Sequence, residues 1–101
     1  MDGFNKQPYE QFPIAGDFSK VLDEGESLVL AECACAATDA TGEDATDDVV
    51  DSESLTVADN LLKVIVRAGA PELSPYKISL RATTSANNKY EIDVKMTVFE
   101  G

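Results

Sequence analysis

PYKISLRATTSANNKYEIDVKMTVF, Pro75 to Phe99, is the stretch that decides the fold. In its first half Tyr76, Ile78, Leu80 and Ala82 alternate with Lys77, Ser79, Arg81 and Thr83. In its second half Tyr90, Ile92, Val94, Met96 and Val98 alternate with Glu91, Asp93, Lys95 and Thr97. A period of two sends one set of side chains to a core and the other to water, the pattern of a half-buried antiparallel strand. A three-residue connection through Ala86, Asn87 and Asn88 predicts a hairpin with Leu80 opposite Val94 and Arg81 opposite Asp93. Tyr76 and Tyr90 fall on the inward set, where each packs its ring and needs a partner for its hydroxyl.

The same period extends upstream. Leu62, Val64 and Val66 alternate with Lys63 and Arg67, although Ile65 interrupts the polar side. The dipeptide Asp59-Asn60 separates this strand from VVDSESLTV, which reads as two short strands or one bent one; Asx residues favour turns, so a hairpin is expected. From Ser27, Val29, Ala31, Cys33, Cys35 and Ala37 share one face, with Leu28, Leu30, Glu32, Ala34 and Ala36 on the other. Both faces are mostly apolar, which predicts a central strand. Phe18, Val21 and Leu22 make no more than one helical turn before Gly25, and a turn is expected at Asp23 to Glu26.

The first 16 residues, MDGFNKQPYEQFPIAG, have no sustained period, and Pro8 and Pro13 restrict them to an arm or an edge strand. About seven short strands, with no helical period beyond one turn, predict an all-β chain: an antiparallel immunoglobulin-like β-sandwich over residues 17–101 with an extended N-terminal arm, 1–16. The tryptophan and paired cysteines of antibody domains are absent.

At 101 residues with a formal net charge of −11, the chain is one small domain that repels polyanions, so neither nucleic acid nor an anionic membrane surface is an expected partner. The charge is polarised. Residues 1–62 carry 15 acids against Lys6 and Lys20, a net of −13; residues 63–101 carry 4 acids against 6 bases, a net of +2. No apolar run approaches the ~20 residues of a membrane helix, and MDGFNKQPYEQ lacks the basic and apolar regions of a signal peptide. The absence of histidine removes the commonest general base and zinc nitrogen ligand. With no cleft in prospect either, no enzyme and no cofactor are expected.

AECACAATDATGEDATDD, Ala31 to Asp48, holds the remaining chemistry. On a strand, Cys33 and Cys35 stand about 6.5–7 Å apart on one side, too far for a disulfide between them, and no third cysteine or histidine completes a metal site. They read as small buried residues, with an interchain disulfide in an assembled particle as the alternative. Asp39, Glu43, Asp44, Asp47 and Asp48, continued by Asp51 and Glu53, offer the oxygen ligands that calcium takes. Their spacing is not that of a calcium loop. They are weak metal candidates beside the readings of a solvated loop and of a surface that docks a basic partner.

Two segments resemble a family of small tailed-bacteriophage virion proteins. One is KQPYEQFPIAGDFSKVLDEGESL, where a proline-containing arm precedes Asp17, Phe18, Ser19, Leu22, Gly25 and Glu26; the other is SPYKISLRATTSANNKYEIDVKMTV, a tyrosine-led strand, a TTS turn at Thr83 to Ser85 and a strand ending at Val98. The resemblance covers about half the chain. It implies an immunoglobulin-like sandwich in the virion, made in the host cytoplasm, as a fibre-tail adaptor at the tail or neck. A capsid decoration protein is the alternative within that setting, and a cation-dependent ligand- or sugar-binding sandwich the alternative outside it. The implied partners are other virion proteins, tail, neck, fibre or capsid subunits, meeting multiple copies in a symmetric ring or lattice. Phe4, Pro8, Tyr9, Phe12 and Ile14 are the expected contact residues, because they are apolar or aromatic in a segment with no core period; the other reading closes the same domain with an edge strand.

Overall fold

The computed structural model describes residues 2–100. Its elements are β1 (Asp2–Lys6), β2 (Phe12–Asp17), β3 (Ala34–Thr38), a four-residue helix α1 (Thr46–Val49), β4 (Val50–Ala58), β5 (Leu61–Val66), β6 (Tyr76–Thr83) and β7 (Lys89–Val98), with 3-10 turns at Leu30–Glu32 and Pro71–Leu73. One sheet has the order β1-β7-β6-β3 and the other β2-β5-β4. All pairs are antiparallel except β1 with β7, which run parallel. The expected seven-strand β-sandwich is therefore present.

The two alternating segments supply its middle. Leu62, Val64 and Val66 of β5 are buried together with Tyr76, Ile78, Leu80 and Ala82 of β6 and Met96 and Val98 of β7. Burial of each large aliphatic side chain contributes roughly 1.5–3 kcal/mol, so this cluster dominates the free energy that holds the layers together. The sheets approach closely at Gly16. A methyl group there would lie 2.9 Å from Leu80 Cδ1 and 3.3 Å from Ile92 Cδ1, across the gap between layers.

The β6–β7 hairpin forms, but two residues out of the expected register: Leu80 faces Ile92 and Arg81 faces Glu91. Asn87, at φ 63°, takes the left-handed place that ends a three-residue loop, so the loop is Ser85, Ala86 and Asn87 and closes through Thr84 N–H to Asn88 O, 2.9 Å. A shift of two residues leaves every side chain on its expected face, and the core pattern survives. The hairpin at Asp59-Asn60 is also present, with Asp59 at φ 54°. Residues 50–58 form one strand whose register breaks between Asp51 and Thr56.

The cysteine strand differs most. Leu28 bridges Thr84 and Val29 N–H donates to Thr83 O, but the chain then leaves the ladder in the 3-10 turn Leu30–Glu32 and re-enters at Ala34. The turn changes the parity, so Leu28 is buried while Ala31 is exposed. β3 is an edge strand, not a central one. The central positions in that sheet belong to β7 and β6. Of the two readings of residues 1–16, a clasp on a neighbour or an edge strand of the same domain, the isolated chain takes the second: β1 edges one sheet and β2 the other.

Candidate functional site

The strand registers sort the loops into two ends. Phe12, Val50 and Val66 stand side by side at one end of the three-stranded sheet; Lys6, Thr38, Lys77 and Val98 stand at the matching end of the other. Bonds across the gap show that the two coincide: Lys6 Nζ donates to Ala68 O, and the Tyr76 hydroxyl accepts from Ala70 N–H at 2.9 Å. This end gathers the β1–β2 turn, the acidic segment between β3 and β4, and the β5–β6 connection.

The acidic segment is built rather than loose. Ala45 N–H donates to Ala37 O at 2.8 Å and Ala37 N–H to the Thr46 hydroxyl at 2.9 Å, so the segment folds back along the outer edge of β3. It occupies hydrogen-bonding groups that an edge strand would otherwise offer to another chain. Asp39 Oδ1 accepts from the Thr41 amide and hydroxyl and from Glu43 N–H, and Asp44 Oδ1 accepts from the Thr46 amide at 3.1 Å and hydroxyl at 2.6 Å. These bonds hold both carboxyls below the ordinary carboxylate range, the bond from the threonine hydroxyl first in each case. Asp39 and Asp44 thus serve the backbone, while Glu43, Asp47 and Asp48 remain exposed. Arg67 Nη2 donates to Asp47 O at 3.0 Å. Among the described residues no group of three or more Cys, Asp or Glu is placed to hold a metal ion.

The five expected contact residues separate. Phe4 and Phe12 meet edge to face, ring centroids 5.6 Å apart, and with Ile14 pack half-buried against the core. Pro8 is half-buried. Tyr9 is 98% exposed at the tip of the β1–β2 turn. At the same end Leu73, on the 3-10 turn whose carbonyl accepts from Ala40 N–H, is 37% exposed. Phe99, whose amide donates to Lys6 O, is 43% exposed. An aromatic tip, two further apolar side chains and the acidic segment from Asp39 to Glu53 therefore share one end of the sandwich. Apolar anchors within a charged surround are the composition of a protein-docking surface.

Lys6 was not legible as part of this site. It is buried, and its ammonium donates to the carbonyls of Gln7 at 2.8 Å, Pro8 at 3.4 Å and Ala68. Lysine is almost never fully buried, and no signal in the sequence marks this one as an exception.

The opposite end is stitched. Glu26 accepts from the Thr84 hydroxyl, from Asn88 Nδ2 at 3.2 Å and, through its other oxygen, from Asp23 N–H at 2.9 Å. Ser27 and Ser85 exchange two further bonds, and Phe18 N–H donates to Asn60 O. Asp17 Oδ1 accepts from Ser19 N–H at 2.9 Å. Of the residues that carried the resemblance, Glu26 and the Thr84–Ser85 turn thus join the two resembling segments to each other, while Asp17 bonds within its own turn and Phe18 to Asn60.

Neither cysteine stands ready for chemistry. Cys33 Sγ donates to Val29 O at 3.2 Å, and burial pushes the Cys35 thiol up to about 11, so it stays protonated at neutral pH. Both are half-buried and free, packed against the core. A shallow hollow of about 350 Å³ on the outer face of β6 and β7 is lined by Arg81 and Glu91, whose ion pair at 2.8 Å engages both. Among the described residues no helix is long and apolar enough to cross a membrane.

The model of one protein family, described as podophage GP4 fiber-tail adaptor protein gp77, matches residues 6–97. The match runs from the last residue of β1 almost to the end of β7. No curated protein matches the chain at a significant level.

Proposed function

From the membership of this chain in the podophage fibre-tail adaptor family, we propose that it is a non-enzymatic connector whose acidic end, with Tyr9 at its tip, seats on a basic surface of a tail or fibre protein. The family places it among structural proteins of the tailed-phage virion, acting with other virion components. The observation that carries the finer reading is that Tyr9, 98% exposed, stands with Leu73, Phe99 and the acidic segment at one end, while the other end, where Val21 and Leu30 are partly exposed, is closed by bonds between distant segments. Multiple copies arranged by symmetry would give each fibre an equivalent seat. Desolvated aromatics supply affinity in such contacts, and the surrounding charge guides approach and register.

Deleting the gene from the phage tests the role. Particles with intact heads and tails lacking fibres are the expected product under electron microscopy. Fibred particles with weakened capsids would instead assign the protein to capsid decoration. For the cation-dependent alternative, the self-bonded state of Asp39 and Asp44 predicts that millimolar calcium leaves the melting temperature unchanged. A rise would revive that reading.

A further inference from the structure

Lys6 ties the two sheets together at the end that the preceding reading assigns to the partner. Its side chain leaves β1 in the four-stranded sheet and reaches the carbonyl of Ala68, just beyond β5 in the three-stranded sheet. The same ammonium holds Gln7 O and Pro8 O, the carbonyls that open the β1–β2 turn. That turn also closes on itself, because Glu10 N–H donates to Gln7 O at 3.0 Å and Gln7 N–H to Glu10 Oε1 at 2.6 Å. Ala68 has φ 49° and Gly69 φ 95°, so two successive left-handed residues accompany the presentation of Ala68 O. Non-glycine residues adopt that conformation at a cost, and it persists where surrounding contacts over-determine it.

A buried ammonium is a poor choice for packing alone. Its desolvation is expensive, and an apolar side chain of similar volume generally fills such a space at equal or lower free energy. What lysine supplies instead is direction, through three donors aimed at fixed carbonyls. We propose that Lys6 is a positioning residue: it fixes the Gln7–Glu10 turn against the Ala68–Gly69 turn, so that Tyr9 is presented in one orientation before any partner arrives. Preorganisation of this kind strengthens binding by reducing the entropy lost on association. The proposal rests on Tyr9 being a contact residue only for its effect on assembly, not for the ordering of the turn.

Amide hydrogen exchange of the full chain tests it, comparing Lys6→Met with the parent. Glu10 and Ala70 amides are expected to exchange about tenfold faster or more, with core amides such as Leu80 unchanged. Unchanged rates at Glu10 and Ala70 would overturn the proposal. If Lys6→Met loses protection throughout, Lys6→Gln decides, since its amide still donates: core protection should return while the turn stays intermediate. Equal loss at the core in both variants would make Lys6 a structural residue and end the idea. In phage complemented with Lys6→Met well below its unfolding midpoint, incorporation should fall severalfold, and normal incorporation would contradict a positioning role. Normal incorporation of Tyr9→Ala would instead sink the contact reading, with the exchange data still judging Lys6 on its own.

Discussion

The two ends of this sandwich use the same residue types for opposite purposes. At the end formed by Glu26, Thr84 and Asn88, a carboxylate is drawn in and bonded to a hydroxyl and a side-chain amide of one distant loop and to a backbone amide of its own turn. At the end formed by Asp39 to Glu53, the bonded carboxylates accept only from amides and hydroxyls two to four residues away, and Tyr9 stands 98% exposed. Acidic residues alone therefore do not mark a docking surface. What differs is whether their hydrogen-bonding capacity is spent on long-range contacts or left facing outward.

Removing the stitched end should unfold the protein. Phe18, 2% exposed and bonded through its amide to Asn60, is the anchor there, and Phe18→Ala should cost about 3–5 kcal/mol in chemical denaturation. A loss under 1 kcal/mol would mean that this end does not hold the sandwich. Thr84, 2% exposed, donates to Glu26 and accepts from the Ala86 and Asn88 amides. Thr84→Val strands those partners and should cost about 1–3 kcal/mol, a fall of roughly 4–8 °C in melting temperature for each kcal/mol.

The acidic end should respond weakly and locally. Asp39 and Asp44 have native pKa values below the ordinary 3.8, so the turns they cap are fully stabilised above that value and weaken as pH falls through the lowered native ones. Amide shifts of Thr41 and Thr46 should therefore titrate below pH 3.8, ahead of any change at Leu80. Titration at or above that value would remove the capping role. The smallest effect on stability is expected from Tyr9→Ala, whose melting curve should superpose on that of the parent while fibre attachment is lost. A lowered midpoint would place Tyr9 with the structural residues and erase the contrast between the ends.

The core was legible because period-two burial is a local property. Tyr76 to Ala82 and Leu62 to Val66 alternate along the chain, and the sheets bury what alternates. The register was not, since Asn87 and Asn88 are equivalent in sequence and only the loop decides which takes the left-handed place. The strand from Ser27 misled for a related reason: at Leu30–Glu32 the backbone bonds locally, Glu32 N–H to Val29 O and Cys33 N–H to Leu30 O, and this 3-10 turn reverses the parity upstream. In the N-terminal segment the lack of a period left partner contact and edge-strand closure equally open for Phe4 and Phe12. Each fills a place at a different sheet edge, and their edge-to-face contact joins residues eight positions apart.

By itself, then, the sequence determined the all-β class, the inward faces of β5, β6 and β7, the acidic polarity and the absence of histidine chemistry, all of which follow from composition and local period. The tertiary structure decided which edge each N-terminal strand takes, which acids are stitched and which stay outward, and the burial of Lys6. Those outcomes depend on groups far apart in the chain, such as Lys6 with Ala68 and Glu26 with Thr84. A hydrogen bond of that kind leaves no periodic trace, because its partner is chosen by the folded geometry and not by its neighbours in sequence.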